Sequence, residues 1–151
     1  MNTPLRILVA EDEVGDAVLL WRAFAKAGVN PPVYFAGDGQ EVLNYLDGHP
    51  PFDNPVEYPL PNLLLLDLGL PRVNGFEILS WLREHPTLHD MLVVVLSSAN
   101  DPEQIQRARA LGANSYVVKP QDPSKLIDVV KRLQEYWLGI KAPTTESSIA
   151  I

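Results

Sequence analysis

Five short apolar runs alternate along the chain with five stretches whose apolar residues recur at helical spacing. The runs begin at Arg6, Pro32, Asn62, Leu92 and Ser115. The helical stretches cover about residues 15–28, 40–46, 75–84, 101–112 and 122–139. Strands and helices that alternate through short joints form parallel sheets with helices on both faces. The sequence therefore predicts an α/β fold, a five-stranded parallel sheet sandwiched by five helices.

The third run, "NLLLLDLGLP", places a carboxylate directly after four leucines. A short apolar run bounded by turn residues fits a strand covered on both faces, although its periodicity also fits a buried helical segment. In an open parallel sheet, ligands collect at the carboxyl ends of the strands, where Asp67 would lie. An aspartate at one such end more often only shapes the turn. The residues at the other predicted strand ends show which of the two interpretations of Asp67 is favoured.

Composition limits the classes of protein to consider. A chain of 151 residues with 46% hydrophobic content suits one domain with one core. A net charge of −7 argues against nucleic acid as a partner, and zero cysteines exclude disulfides and thiolate metal sites. The N-terminus lacks the apolar run of a signal peptide, and no segment approaches the ~18 apolar residues of a membrane span. We expect a soluble cytoplasmic protein without a membrane partner.

The chain is expected to form one domain over residues 1–140, followed by a flexible polar tail over residues 141–151. Residues 49–61 hold five of the 14 prolines and predict a surface loop rather than a domain boundary. The tail is too short for an effector domain, so output is expected to pass through protein contacts.

Polar side chains follow four of the predicted strands: the pair Glu11 and Asp12, then Asp67, Ser97 and Lys119. Parallel strands bring these ends to one edge of the sheet. Three carboxylates held together repel one another unless a cation joins them, and a set of oxygen ligands favours Mg²⁺. Lys119 would pair with Asp67 or neutralise a transferred phosphoryl group, and the Ser97 hydroxyl would donate to a phosphoryl oxygen.

Each of these residues also has an ordinary structural explanation. Glu11 and Asp12 suit a helix N-terminus, Lys119 a solvated strand end, and Ser97 a turn. Four ordinary explanations at four strand ends are less plausible together than one shared site. The set indicates a Mg²⁺-dependent phosphoryl-acceptor site with Asp67 as the nucleophile.

The sequence resembles the receiver domain of two-component response regulators over about residues 5–139. The resemblance rests on the Glu11–Asp12 pair, Asp67 with Pro71 and Gly75, Ser97 in "VVVLSSA", Tyr116, and "VVKP" through Lys119 and Pro120. It implies a flavodoxin-like (βα)5 fold and a partner histidine kinase that phosphorylates Asp67.

The same resemblance implies specific roles for individual residues. The implied metal ligands are Glu11, Asp12, Asp67 and the backbone carbonyl of Gly69. Ser97 and Tyr116 would form a switch pair that responds to the phosphoryl group. The Lys119–Pro120 bond would be cis. Gly69 and Ala99 are smaller than many receivers have at these positions, which affects the expected lifetime of the phosphoryl group.

A narrower resemblance concerns the long loop before the third strand, the run "EYPLPNLLLLDLGLP" and the ending "LQEYWLG". These features resemble stand-alone regulators paired with cyanobacterial and bacterial phytochromes, so the implied kinase is a phytochrome.

Other functions fit the sequence less well. A haloacid-dehalogenase-type phosphatase needs a second Asp at the position of Gly69, and a P-loop hydrolase needs a glycine-rich loop where this chain has "AEDEVGDA". A receiver fold that only binds a partner, without phosphorylation, remains the alternative. By the resemblance the protein is not an enzyme but a phosphoacceptor that assists its own phosphorylation and dephosphorylation.

The fifth helix predicts a homodimer. Its residues Leu126, Val130, Leu133 and Trp137 form one stripe, sufficient for contact with the sheet. Further apolar residues extend the stripe to an arc of roughly 200°: Val129, Tyr136 and Ile140 on one flank, Ile127 and Leu138 on the other. An exposed apolar flank with Tyr136 as its anchor would be an interface between two copies, and the alternative is that the tail from Lys141 folds back over this face.

Overall fold

The computed structural model describes residues 5–28 and 33–141, with side chains as far as residue 136. Strands and helices alternate as the sequence predicts, and their bounds agree with the expected ones to within about three residues. The elements are β1 (Ile7–Ala10), α1 (Val14–Lys26), β2 (Val33–Ala36), α2 (Gly39–Leu46), β3 (Leu63–Leu66), α3 (Gly75–Glu84), β4 (Leu92–Ser97), α4 (Pro102–Ala110), β5 (Ser115–Val118) and α5 (Ser124–Lys141). The tail predicted over residues 141–151 lies almost wholly outside the described residues.

All five strands pair in parallel in the order β2-β1-β3-β4-β5, which confirms the predicted fold class. β1 and β3 lie inside the sheet, and every residue of both is buried. The four leucines of β3 are buried because the sheet is covered on both faces. The interpretation of this run as a strand is thus confirmed.

Alternate strand residues point to two separate cores. Leu8, Leu64 and Val93 face α2, α3 and α4, whereas Ile7, Leu63 and Val94 face α1 and α5. This division follows from the two-residue repeat of a strand, which sends successive side chains to opposite faces.

Side-chain caps start four of the helices. Asp38, Asn74 and Asp101 accept hydrogen bonds from backbone N–H groups in the first turns of α2, α3 and α4. Asp122 does the same for Ser124 at the start of α5. The Asp-Pro pairs recognised in the sequence therefore begin α4 and α5 as expected.

The proline-rich segment between α2 and β3 is a loop, and aromatic packing holds it to the domain. Phe52 and Tyr58 stack against Tyr45 of α2, with ring centroids 5.2 and 5.9 Å from it. The Tyr45 hydroxyl donates to the carbonyl of Pro59 at 2.9 Å. The predicted loop is confirmed, and its aromatic side chains fix its path.

The expectation of an exposed apolar flank on α5 is wrong for the side chains that the structure describes. Val129 and Tyr136 of α5 are buried in the chain's own core, with Tyr136 only 6% exposed. They pack there because α1 lies beside α5 on the same face of the sheet and covers that flank. The side chains of Trp137, Leu138 and Ile140 lie outside the described residues. The exposed large apolar side chains lie instead on α1, in the loop before β3 and at the end of β5: Val14, Val18, Trp21, Val56, Leu60 and Val118.

The expected cis bond before Pro120 is also absent. The cis peptide bond found among the described residues joins Pro50 and Pro51, so the Lys119–Pro120 bond is trans. X-Pro bonds favour trans by about 0.5–1 kcal/mol, and the geometry here follows that preference.

No helix in the described part of the chain is long and apolar enough to cross a bilayer.

Candidate phosphoacceptor site

Strand register brings the predicted site residues together at one edge of the sheet. Ala10 pairs with Leu66, so Glu11 and Asp67 follow directly paired residues, and the Asp67 N–H donates to the Ala10 carbonyl at 3.1 Å. On the other side, the Lys119 N–H donates to the carbonyl of Ser97 at 2.8 Å. Residues that are 108 positions apart in sequence, Glu11 and Lys119, are thereby placed in contact.

Glu11, Asp12 and Asp67 form an acidic cluster in which one carboxylate oxygen from each lies within 4.8 Å of the others. Glu11 is buried, Asp67 is half-buried, and Asp12 is exposed. Three carboxylates without nitrogen or sulfur ligands fit a hard divalent cation, and the exposed side leaves room for water and phosphate oxygens. The donor set therefore fits the metal that the sequence predicts.

Lys119 supplies the positive charge of the site. Its Nζ lies 2.5 Å from Glu11 Oε1, 3.2 Å from Asp16 Oδ2 and 3.4 Å from Asp67 Oδ2. Burial alone would lower the pKa of Lys119, but the bond to Glu11 and the charges of Asp67 and Glu11 outweigh it and raise the pKa above the ordinary lysine value. The ammonium group is held charged among carboxylates.

Glu11 is the most buried acid of the cluster. Its Oε2 accepts the backbone N–H of Glu13 at 3.1 Å, while Oε1 accepts from Lys119. Burial raises the pKa of the Glu11 carboxyl, and these two hydrogen bonds offset only part of that effect. A cation beside this carboxyl would add further compensation for its burial.

A tight turn holds Asp67 in place. The N–H of Gly69 donates to Asp67 Oδ1 at 3.0 Å, which orients the carboxylate. At Gly75, where α3 begins, a Cβ atom would lie 2.6 Å from the Cα of Leu68, closer than packing allows. Glycine is required there because α3 starts directly against the backbone that carries Asp67. The role of the Gly69 carbonyl as a ligand remains a prediction.

Ser97 and Tyr116 are joined through one residue. Ser97 Oγ accepts the backbone N–H of Ala99 at 3.3 Å, and the Tyr116 hydroxyl donates to the Ala99 carbonyl at 2.8 Å. Both side chains are buried, at the end of β4 and within β5. The two residues predicted as a pair thus share the segment that follows β4.

Two contributions were missed in the sequence. Asp16 reaches Lys119 from α1, and Ala99 connects Ser97 with Tyr116 through its backbone. Asp16 lies in the first turn of α1, only a few residues after the end of β1, and this position near the strand end could have revealed it. No pattern of side chains marks Ala99, because its contacts are made by backbone atoms.

Several known proteins are similar to this chain in sequence. Residues 7–131 match the family described as the response regulator receiver domain. FilR2, a probable methanogenesis regulatory protein of Methanothrix harundinacea, is 36% identical over 136 residues, which cover 90% of this chain and 85% of that protein.

Solved structures agree in fold over nearly the whole chain. The response regulator RPA3017 in red light signalling of R. palustris has a TM-score of 0.85 at 32% identity, covering 93% of this chain and 99% of that one. The phosphorylated cyanobacterial phytochrome response regulator RcpA has a TM-score of 0.82 at 33% identity, with coverages of 95% and 100%. The Mn²⁺-bound form of Rcp1, a response regulator of Synechocystis, has a TM-score of 0.80 at 27% identity, with coverages of 95% and 100%.

Proposed function

Because the chain belongs to the response regulator receiver domain family, we propose that it accepts a phosphoryl group on Asp67 from a partner histidine kinase. The observation that carries this proposal is the position of Asp67. Its carboxylate ends the buried central strand β3, lies within the acidic cluster and contacts Lys119 at 3.4 Å. Glu11 of the cluster is buried and Asp12 is exposed, whereas Asp67 is half-buried and is oriented by the N–H of Gly69.

In the proposed reaction, a carboxylate oxygen of Asp67 attacks the phosphorus of a phosphohistidine. The new O–P bond forms as the N–P bond breaks, and the electron pair of that bond returns to the imidazole of the kinase. Lys119 pairs with the phosphoryl oxygens, whose charge would otherwise be repelled by Glu11 and Asp12. The chain is thus a phosphoacceptor that assists the transfer, rather than an enzyme acting on a separate substrate.

Glu11, Asp12, Asp67 and the backbone carbonyl of Gly69 would hold Mg²⁺ in this site. When bound, the ion neutralises charge on the phosphoryl oxygens and on the acidic cluster. The Mn²⁺-bound form of the relative Rcp1 supports a divalent cation at such a site.

Ser97 and Tyr116 would couple phosphorylation of Asp67 to a structural change at the protein surface. The Ser97 hydroxyl would turn from the Ala99 N–H toward a phosphoryl oxygen, which loosens the segment after β4. Tyr116 holds the same segment through the Ala99 carbonyl, so its hydroxyl would lose or change that bond. The output is then a change of shape beside α4 and β5.

The kinase partner would approach over α1. Val14, Val18 and Trp21 are exposed and fall within an arc of about 60° on this helix. α1 begins at Val14, two residues after Asp12 of the acidic cluster, so a partner bound at this end of the helix would lie close to the site. The structures of RPA3017 and RcpA support a bacterial phytochrome as the kinase class, and an ATP-using kinase would place the exchange in the cytoplasm.

The chain would also form a homodimer through the face of α5 and β5. β5 is an edge strand, and its residue Val118 is 38% exposed. A groove of about 570 Å³ beside Val118 carries Lys125, Asp128 and Arg132. Charges of both signs in one patch allow a twofold, self-complementary contact, as a closed dimer requires.

Phosphorylation with a small phosphoryl donor tests the function. Wild-type protein incubated with phosphoramidate and Mg²⁺ should gain the mass of one phosphate, and Asp67→Asn should gain none. Asp53→Asn, which removes a carboxylate from the exposed loop before β3, should be modified like the wild type. A wild type that stays unmodified would favour a receiver fold that only binds a partner, and a modified Asp67→Asn protein would show that another residue is the acceptor.

A further inference from the structure

Lys119 has more acidic partners than the proposed phosphotransfer requires. Glu11 and Asp67 belong to the acidic cluster, but Asp16 lies on α1 and is not part of the group whose oxygens converge within 4.8 Å. Asp16 Oδ2 is 3.2 Å from the Lys119 Nζ, comparable to the 3.4 Å that separates this nitrogen from Asp67 Oδ2. An ammonium group has three N–H donors, so these three carboxylates use all of them.

The three contacts differ in how readily they are given up. The Glu11 side chain is only 2% exposed and its contact is the shortest, so losing Lys119 would leave a buried charge without its partner. The Asp16 side chain is 45% exposed, and water can replace the ammonium group there. The contact with Asp16 is therefore the one that Lys119 can exchange at least cost.

A cavity lies on the Asp16 side of Lys119. It has a volume of about 300 Å³ and is lined by Asp16, Leu19, Lys119, Pro120 and Gln121, among others. The lysine side chain borders this space, so on the side of α1 it faces a cavity rather than packed core.

We propose that Asp16 is a positioning residue that draws Lys119 toward α1 and thereby limits how tightly the site holds a phosphoryl group at Asp67. This inference rests on the proposed function. A phosphoryl group adds a charge of about −1.5 to −2 and several strong acceptor oxygens beside Lys119. Asp16 competes with those oxygens for the same ammonium group and adds a further negative charge near them. Both effects weaken phosphoryl binding, so removing the Asp16 charge strengthens it.

Binding of trifluoroberyllate, a phosphoryl analogue, in saturating Mg²⁺ measures the effect by ¹⁹F NMR titration. Asp16→Asn should bind the analogue about threefold more tightly than the wild type, which is the scale expected for a partly exposed ion pair. Asp16→Glu keeps the charge and the reach to Lys119, and should return the affinity to the wild-type value.

Glu13→Gln is the matched control. Glu13 precedes α1, is exposed, and makes no capping hydrogen bond with its side chain. Its substitution removes one negative charge near the same helix end but leaves the contact between Asp16 and Lys119 in place. The control should change the affinity by less than about 1.5-fold, because exposed charges are largely screened.

The outcomes separate this inference from the proposed function. A purely structural role for Asp16 would weaken analogue binding and lower the urea midpoint, so weaker or unchanged binding in Asp16→Asn refutes the inference alone. An equal gain in Glu13→Gln also refutes it, since general electrostatics would then explain the gain. If wild-type protein and Asp67→Asn both fail to bind the analogue, the proposed function and the inference are both wrong.

Discussion

Lys119 is the residue on which the charge balance of the site depends. Four carboxylates, those of Glu11, Asp12, Asp16 and Asp67, lie at the site, and Lys119 contacts three of them. Asp12 is the member of the acidic cluster without such a contact, and it is exposed. Its charge adds to the repulsion among the carboxylates of the cluster, and in the proposed site it would serve as a ligand for the cation. A substitution of Asp12 can therefore test metal binding without disturbing the fold.

Substitution of Asp12 by Ala should abolish the thermal stabilisation that Mg²⁺ gives the protein. A ligand that binds only the folded state stabilises it by an amount that grows with the logarithm of the ligand concentration over Kd, so millimolar Mg²⁺ should raise the Tm of the wild type by a few degrees. Without Mg²⁺, Asp12→Ala should be as stable as the wild type or slightly more stable, because repulsion is relieved. Thermal unfolding followed by circular dichroism, with Mg²⁺ or with a chelator, measures both effects.

Glu13→Gln controls for the loss of one negative charge and should keep its response to Mg²⁺. An Asp12→Ala protein that is stabilised by Mg²⁺ as strongly as the wild type would contradict the assignment of Asp12 as a ligand.

At the scale of elements, α1 and α5 pack against the same face of the sheet but expose different surfaces. Tyr136 of α5 is 6% exposed, and burial raises the pKa of its hydroxyl. Trp21 of α1 is 60% exposed and faces away from the core formed by Leu20, Ala23 and Phe24. Large aromatic residues on two adjacent helices thus have different tasks, one in stability and the other at a surface that a partner would cover.

Alanine substitutions of these two aromatic residues should therefore differ strongly in their effect on stability. Tyr136→Ala removes a buried ring and should lower the free energy of unfolding by about 3 kcal/mol. Trp21→Ala should change it by no more than about 0.5 kcal/mol, as expected for an exposed residue. Urea unfolding of both variants beside the wild type provides the measurement. A Tyr136→Ala protein of wild-type stability would restore the original prediction that this side chain is free for an interface.

For the whole molecule, the burial of Tyr136 moves the proposed dimer contact to β5. Val118 lies on the edge strand, at the end of β5 and directly before Lys119. A contact there would join two copies close to the phosphoacceptor site and to Tyr116. The dimer would then respond to phosphorylation through the same strand.

Sedimentation velocity should show that wild-type protein dimerises and that Val118→Asp remains monomeric at equal concentration. A charge at the centre of an apolar contact must be desolvated when the contact forms, and this weakens association. Val56→Asp is the control, because Val56 is 89% exposed in the loop before β3 and far from β5 in sequence. Each protein is measured with and without trifluoroberyllate. A wild type that is monomeric in both states, or a Val118→Asp protein that still dimerises, would exclude this interface.

Local patterns in the sequence determined the order of elements, the fold class and most of the site. The apolar run of Leu63–Leu66, bounded by turn residues, favours a buried strand because a sheet covered on both faces accommodates consecutive leucines, although the run alone also fits a buried helical segment. Parallel strands align their carboxyl ends, so Glu11, Asp67 and Lys119 could be placed together before their distances were known. Capping residues such as Asp101 marked the helix starts because their side chains bond backbone groups only a few positions away.

Packing between elements decided the rest. Periodicity places Tyr136 on the flank of α5, but only the position of α1 beside it determines that this flank is buried. The contact of Asp16 with Lys119 joins residues 103 positions apart, and it depends on the angle at which α1 leaves the sheet. The helical and strand repeats predict which residues share a face. Which neighbouring element covers that face depends on the tertiary fold.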